Sequence, residues 1–191
     1  MRPSLLGLLL AALPAFSQTA AAPAATSGVS SEWDARKLAA NLQAQAKHLA
    51  TVVVQIKPET WVAQGAPSAY VGQWNSAQAE LKYFSASVES FSKQPERLTL
   101  ALDSYFRMQA FETLLGSLVE GIRKYQTPAI ADLVQGVLNE NSNNRDKLRQ
   151  YVVDLAVENE HEFQVADREA QRCRGMLNRS PAGKPSRPKS P

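Results

Sequence analysis

The run from Leu98 to Tyr125 is the most apolar long stretch beyond the N-terminus, and it limits what this chain can fold into. Ala101, Tyr105, Met108, Phe111, Leu115, Leu118, Ile122 and Tyr125 recur at steps of three and four, which places them on one face of a 3.6-residue repeat. A second row, Leu98, Leu102, Phe106, Ala110 and Leu114, lies beside the first. An apolar face that wide is more than one neighbouring helix covers, so the run predicts a central helix packed by several others.

The flanking sequence supplies them. Ser31-Glu32-Trp33-Asp34 offers a capping hydroxyl and first-turn acids, and Ala35, Leu38, Leu42, Gln45, Leu49, Val52 and Ile56 then follow as a helical seam. Lys57-Pro58 ends that helix, because the residue before proline is pushed out of the α region. Pro58 to Pro67, with Trp61 and Gly65, is expected as a loop in which Trp61 either closes the end of the core or stacks on a ligand. A further helix from about Ser68 to Ser92 aligns Tyr70, Trp74, Ala77, Leu81, Phe84, Val88 and Phe91, an aromatic seam of the kind that fills core volume. The short connection Lys93-Gln94-Pro95-Glu96 makes it an antiparallel neighbour of the central helix.

Thr127-Pro128 opens the final helix, with Ile130, Leu133, Val134, Val137 and Leu138 in its first piece. Asn139 to Asn144 is rich in Asn and Ser, whose side chains compete for backbone groups, so the helix is expected to kink there or to restart. From about Arg145 to Leu177, the residues Leu148, Val152, Leu155, Asn159, Phe163, Ala166, Ala170, Cys173 and Leu177 form one stripe. The far half is otherwise polar, so contact there is thin or lies against another chain. The expected fold is all-α, an antiparallel four-helix bundle with a long, broken last helix, over residues 31–177. A domain of about 150 residues buries enough surface for a single core. No repeat of 20 to 50 residues points to a solenoid.

The two ends read differently. Residues 1–17 have the form of a signal peptide: Arg2, the apolar run Leu5 to Leu13, then Ala15 and Ser17 at the positions a signal peptidase inspects. Pro14 and the Ala-rich sequence after it suit cleavage better than an uncleaved anchor, and no cysteine follows to carry lipid. A membrane-spanning helix needs about 20 apolar residues, and no later segment approaches that, so export to the periplasm or beyond with no transmembrane segment is the expectation. Residues 18–30 form a flexible leader and residues 178–191 a disordered, Pro-rich basic tail. Cys173 is the one cysteine, so no intramolecular disulfide forms. Its place on the stripe predicts burial, with an intermolecular disulfide as the alternative.

The net charge of +3 conceals an uneven distribution. Of the 21 Lys and Arg, Arg2 leaves with the signal, and Arg179, Lys184, Arg187 and Lys189 lie in the tail; 16 remain in the body against 18 acids. Nothing in that balance, and no motif, suits nucleic acid.

Few residues suggest chemistry. Glu158-x-x-His161 has the spacing with which di-iron bundles present two ligands from one helix. Such a site needs a second copy, and the other histidine, His48, has Gln45 at the matching position. His161 also falls about 220° from Leu148 at 100° per residue, away from the stripe. Haem lacks a Cys-x-x-Cys-His attachment sequence, and neither a nucleophile elbow nor a Gly-rich phosphate loop is present. Glu80, Glu89, Glu112 and Glu120 read as solvated faces. No cofactor and no catalysis are therefore expected. One functional reading is a non-catalytic envelope protein acting by partner binding or self-association, as a homodimer or through its basic tail on an anionic envelope polymer. The other is a small-molecule, metal or haem-binding bundle with the ligand held near Trp61, Trp74 and Met108. Gln45 and Asn159 are the polar residues on the seams, placed as register-setting core amides.

Overall fold

A computed structural model describes residues 32–179. The expected signal peptide, the leader and the tail from residue 180 onward lie outside the described residues. Five helices follow in order: α1 Glu32–Val53, α2 Pro58–Val62, α3 Ala69–Lys93, α4 Leu98–Tyr125 and α5 Pro128–Arg179. No strand occurs among the described residues. The expected bundle is present, made by the four long helices.

Each long helix packs on two others, in the cyclic order α1, α3, α4, α5. Polar contacts fix the directions. Gln43 midway along α1 donates to Ser92 at the end of α3, and Trp74 near the start of α3 donates to the Val53 carbonyl at the end of α1. Arg107 of α4 pairs with Glu80 of α3, and Arg123 and Arg145 join α4 to α5 through Asp132 and Glu112. Every neighbouring pair is thus antiparallel. The core is the set of seams read from periodicity: Ala35, Leu42 and Leu49 from α1 with Ile56 in the turn after it, Phe84 and Phe91 from α3, Phe111, Leu115 and Leu118 from α4, and Leu148 from α5 are all buried.

Three expectations are corrected. The segment expected as a loop contains the short helix α2, with Pro58 at its first position and both Pro58 and Trp61 buried. Proline there lacks only an N–H that a helix start leaves unused. Next, α5 neither ends nor restarts at Asn139–Asn144; it is one helix of 52 residues. The side chains that compete for the backbone are engaged elsewhere: Asn139 accepts from Gln135, Asn144 donates to Gln45, and Ser142 bonds back to the Asn139 carbonyl. Burial of Val134, Val137 and Leu148 on either side holds the backbone helical, a tertiary effect that overrides local preference.

The third correction concerns the far half of α5. Tyr151 donates from its hydroxyl to the Pro95 carbonyl in the α3–α4 turn at 2.9 Å, which marks the floor of the bundle. Among the described residues Leu155 is the last buried one, and from Val157 to Asn178 every residue is exposed except half-buried Val165. Cys173 is exposed, not buried. Asn159 is no core amide either; its Nδ2 bonds the Leu155 carbonyl of its own helix. The stripe continues, but no neighbouring helix of the described residues reaches that height.

Candidate functional site

The upper end of the bundle is closed by Trp61. Its indole lies 5.5 Å from the Tyr70 ring in an edge-on arrangement and stacks on Tyr125 at 6.5 Å. The indole N–H is taken by Gln126, whose Oε1 accepts from Trp61 Nε1 at 3.2 Å and from the Lys57 backbone N–H at 3.0 Å. Gln126 Nε2 in turn donates to the Gln55 carbonyl at 2.7 Å. One amide in the α4–α5 turn therefore ties down the α1–α2 turn and the tryptophan together. Gly121 makes room for this: a Cβ there would stand 2.8 Å from the Tyr70 ring and 3.0 Å from the Trp61 ring. The geometry is that of a plug, with its one polar atom satisfied.

Trp61, Trp74 and Met108 do not form one site. Trp74 is half-buried near the upper end, its N–H given to the Val53 carbonyl at 3.2 Å. Met108 lies 17 residues before Tyr125 on α4, about 25 Å down the axis at 1.5 Å per residue. Its sulfur faces Gln45 Nε2 at 3.8 Å, and Gln45 Oε1 accepts from Asn144 at 3.0 Å. Gln45 is thus a core amide, as its seam position implies. The metal candidates are also apart. His48 is exposed near the upper end of α1, whereas Glu158 and His161 are exposed on α5 below the floor. Among the described residues no cluster of three His, Cys, Asp or Glu is placed to hold a metal.

Two features are candidate surfaces, and only the first was not legible as a site. The first is a groove of about 930 Å³ between α4 and α5, lined by Phe106, Leu114, Leu138, Gln109, Gln135 and Arg145 among others. It exists because the second apolar row of α4 is only partly covered; Phe106 stays 58% exposed. Glu112 is also part of its wall, and it is not a solvated carboxylate: its side chain is 10% exposed, and it pairs with Arg145 at 3.0 Å. Oε1 of Glu112 has no hydrogen-bond partner among the described residues, nor do Asn141 Nδ2 and Ser104 Oγ. Burial pushes the Glu112 carboxyl above the ordinary carboxylate range, against the opposing pull of the Arg145 guanidinium. A signal for this burial was present: Glu112 sits four residues after Met108 and three before Leu115, on the main apolar row.

The second feature is the arm of α5 below the floor. From Val157 to Arg179 it runs about 35 Å at 1.5 Å per residue. Phe163 and Leu177 on its stripe are 74% and 75% exposed. No helix of the described residues is long and apolar enough to cross a membrane, this arm included. Comparison with protein-family models, with curated proteins and with solved structures finds no match to this chain.

Proposed function

We propose that this protein is an exported, non-catalytic component of the cell envelope that works by binding a partner or itself, and that the α5 arm is the contact surface. The observation that carries this reading is the arm: a helix 35 Å long, by the same rise of about 1.5 Å per residue, with an apolar stripe and nothing in the described chain to cover it. A lone helix draws most of its stability from packing an apolar face, so a projecting one implies a surface supplied from outside. Phe163 and Leu177 would each contribute about 1.5–3 kcal/mol on burial.

The test is to recover the full chain from its own envelope beside a Phe163→Glu/Leu177→Glu variant. Both positions are exposed, so far-UV circular dichroism should be unchanged. The expected result is that wild type self-associates or carries an envelope component and the variant does neither. Identical behaviour of the two would refute the assignment of the arm.

One observation favours a second reading, a small-molecule-binding bundle: the α4–α5 groove with the partly buried Glu112–Arg145 pair in its wall. On this reading native mass spectrometry finds a bound molecule that a Phe106→Glu variant loses. Trp61 and Trp74 do not line the groove, so their emission is a poor reporter of it.

A further inference from the structure

We infer that the arm carries a second contact surface, on the face opposite its apolar stripe, and that the row Arg168, Arg172 and Arg179 seats this face on an anionic phospholipid surface. The stripe points away from the lipid, so this inference goes beyond the reading of the stripe as a partner surface and does not depend on it. Residues 32–156 hold 13 acids and 13 Lys or Arg, so the bundle is balanced in charge. Residues 157–167 hold four acids and no Lys or Arg, whereas residues 168–191 hold seven Lys or Arg and the single acid Glu169. The cationic excess of the chain is gathered at the tip of the arm and in the sequence beyond it.

Charge is also sorted around the helix axis. With Leu148 as zero and about 100° per residue, Arg168, Arg172 and Arg179 fall at about 200°, 240° and 220°, while Phe163, Ala170 and Leu177 fall at about 60°, 40° and 20°. None of the five carboxylates of the arm, Glu158, Glu160, Glu162, Asp167 and Glu169, lies between about 140° and 260°. The other polar side chains in that sector, His161, Gln164 and Gln171, can all donate hydrogen bonds. A face built for solubility intersperses both signs of charge, and this one carries positive charge alone. Arg168 and Arg172 are exposed, and among the described residues no ion pair engages either. Both guanidinium groups keep their forked donors for phosphate oxygens, the geometry arginine matches best.

Rigidity favours a flat surface. The final helix is continuous to Arg179, so the three arginines occupy a straight row about 17 Å long at about 1.5 Å per residue. A plane of headgroups meets the whole row at once, and Lys184, Arg187 and Lys189 follow from the same end. Clusters of about four to eight Lys and Arg on an amphipathic helix bind anionic headgroups, each cation near the surface strengthening binding about fivefold. The acidic half of the arm lies next to the bundle floor and is repelled by the same surface, so the arm meets it tip first and the bundle stands clear.

The experiment is co-sedimentation of the chain, recovered from its own envelope, with vesicles of phosphatidylcholine and phosphatidylglycerol or of phosphatidylcholine alone. The expected result is binding to the mixed vesicles only, abolished in about 1 M salt, where screening acts over about 3 Å. Arg168→Gln/Arg172→Gln/Arg179→Gln should weaken it at least tenfold, and about a hundredfold if the three contributions add. Lys47→Gln/Lys82→Gln/Lys147→Gln removes the same charge from exposed bundle positions and should leave binding unchanged. No binding to the mixed vesicles overturns the inference, as does capture by dextran sulfate without capture by the vesicles, which makes the partner a polymer. Equal weakening by the two triple variants reduces the effect to net charge and overturns the assigned face. A loss confined to Lys184→Gln/Arg187→Gln/Lys189→Gln, or one as large with Phe163→Gln/Leu177→Gln, moves the contact to the tail or to the stripe and overturns it too. Self-association of the Phe163→Glu/Leu177→Glu variant, measured without lipid, tests the functional reading separately.

Discussion

Replacing Gln126 by Ala should be more damaging than its half-buried position in a turn suggests. The amide makes three hydrogen bonds, accepting from Trp61 Nε1 and the Lys57 N–H and donating to the Gln55 carbonyl. They are not equivalent. Lys57 and Gln55 are exposed, so water replaces the lost partner and each bond contributes about 0.5–1 kcal/mol net. Trp61 is fully buried, and its orphaned N–H costs about 1–3 kcal/mol. The total is roughly 2–5 kcal/mol, which at about 2–4 °C per kcal/mol in a chain of this size lowers Tm by about 4–20 °C. Urea unfolding followed by tryptophan emission and circular dichroism reads it directly. Gln126→Glu keeps the acceptor for Trp61 and Lys57 and loses the donor to Gln55, so it should recover more than half of the loss. A Gln126→Ala cost below about 0.5 kcal/mol, less than one ordinary hydrogen bond, would refute the view that this side chain holds the bundle's upper end together.

Gly121→Ala should destabilise by about 1–3 kcal/mol, because its Cβ meets the Tyr70 and Trp61 rings inside contact distance. Gly116→Ala on the same helix meets nothing and should stabilise by about 0.5–1 kcal/mol, so paired melting curves check both signs. Glu112 binds its proton more tightly folded than unfolded, since burial raises its pKa. Its contribution to stability is therefore fully present at low pH and falls as the pH rises from the ordinary carboxylate range through the raised folded value. Glu112→Gln cannot titrate, so its urea midpoint relative to wild type should shift upward between pH 4 and pH 7; a flat or downward difference would contradict the assigned burial. Tyr151→Phe removes the bond to the Pro95 carbonyl and should cost about 1 kcal/mol, measured by the same denaturation.

Much of the fold was legible in the chain. The central helix runs from Leu98 to Tyr125, the span its two apolar rows define, and all seven seam residues read for the first helix are buried. Steps of three and four survive translation into structure because burying a continuous face is what stabilises a helix in a bundle. Capping and proline rules did less well. Pro58 opened a short helix instead of a loop, and the Asn-rich segment of α5 stayed helical, since packing on both sides outweighs side-chain competition for the backbone. Among the candidate residues, Trp61 is the lid that one reading allowed, while Glu158, His161 and His48 are scattered over exposed surface. Gln126 and Asn144 carry no periodic signal, because each acts across 65 or more residues of sequence.

The sequence by itself determined which residues share a face, where the helices turn, and that the last helix carries one continuous stripe to Leu177. Only the tertiary structure decided how far down that stripe a neighbour extends. Leu148, Val152 and Leu155 follow the same periodicity as Phe163, Cys173 and Leu177, yet the former lie in or against the core and the latter in the open. Periodicity reports an angle around a helix axis, whereas burial depends on height along it, and that height is set by the α3–α4 turn and the start of α1.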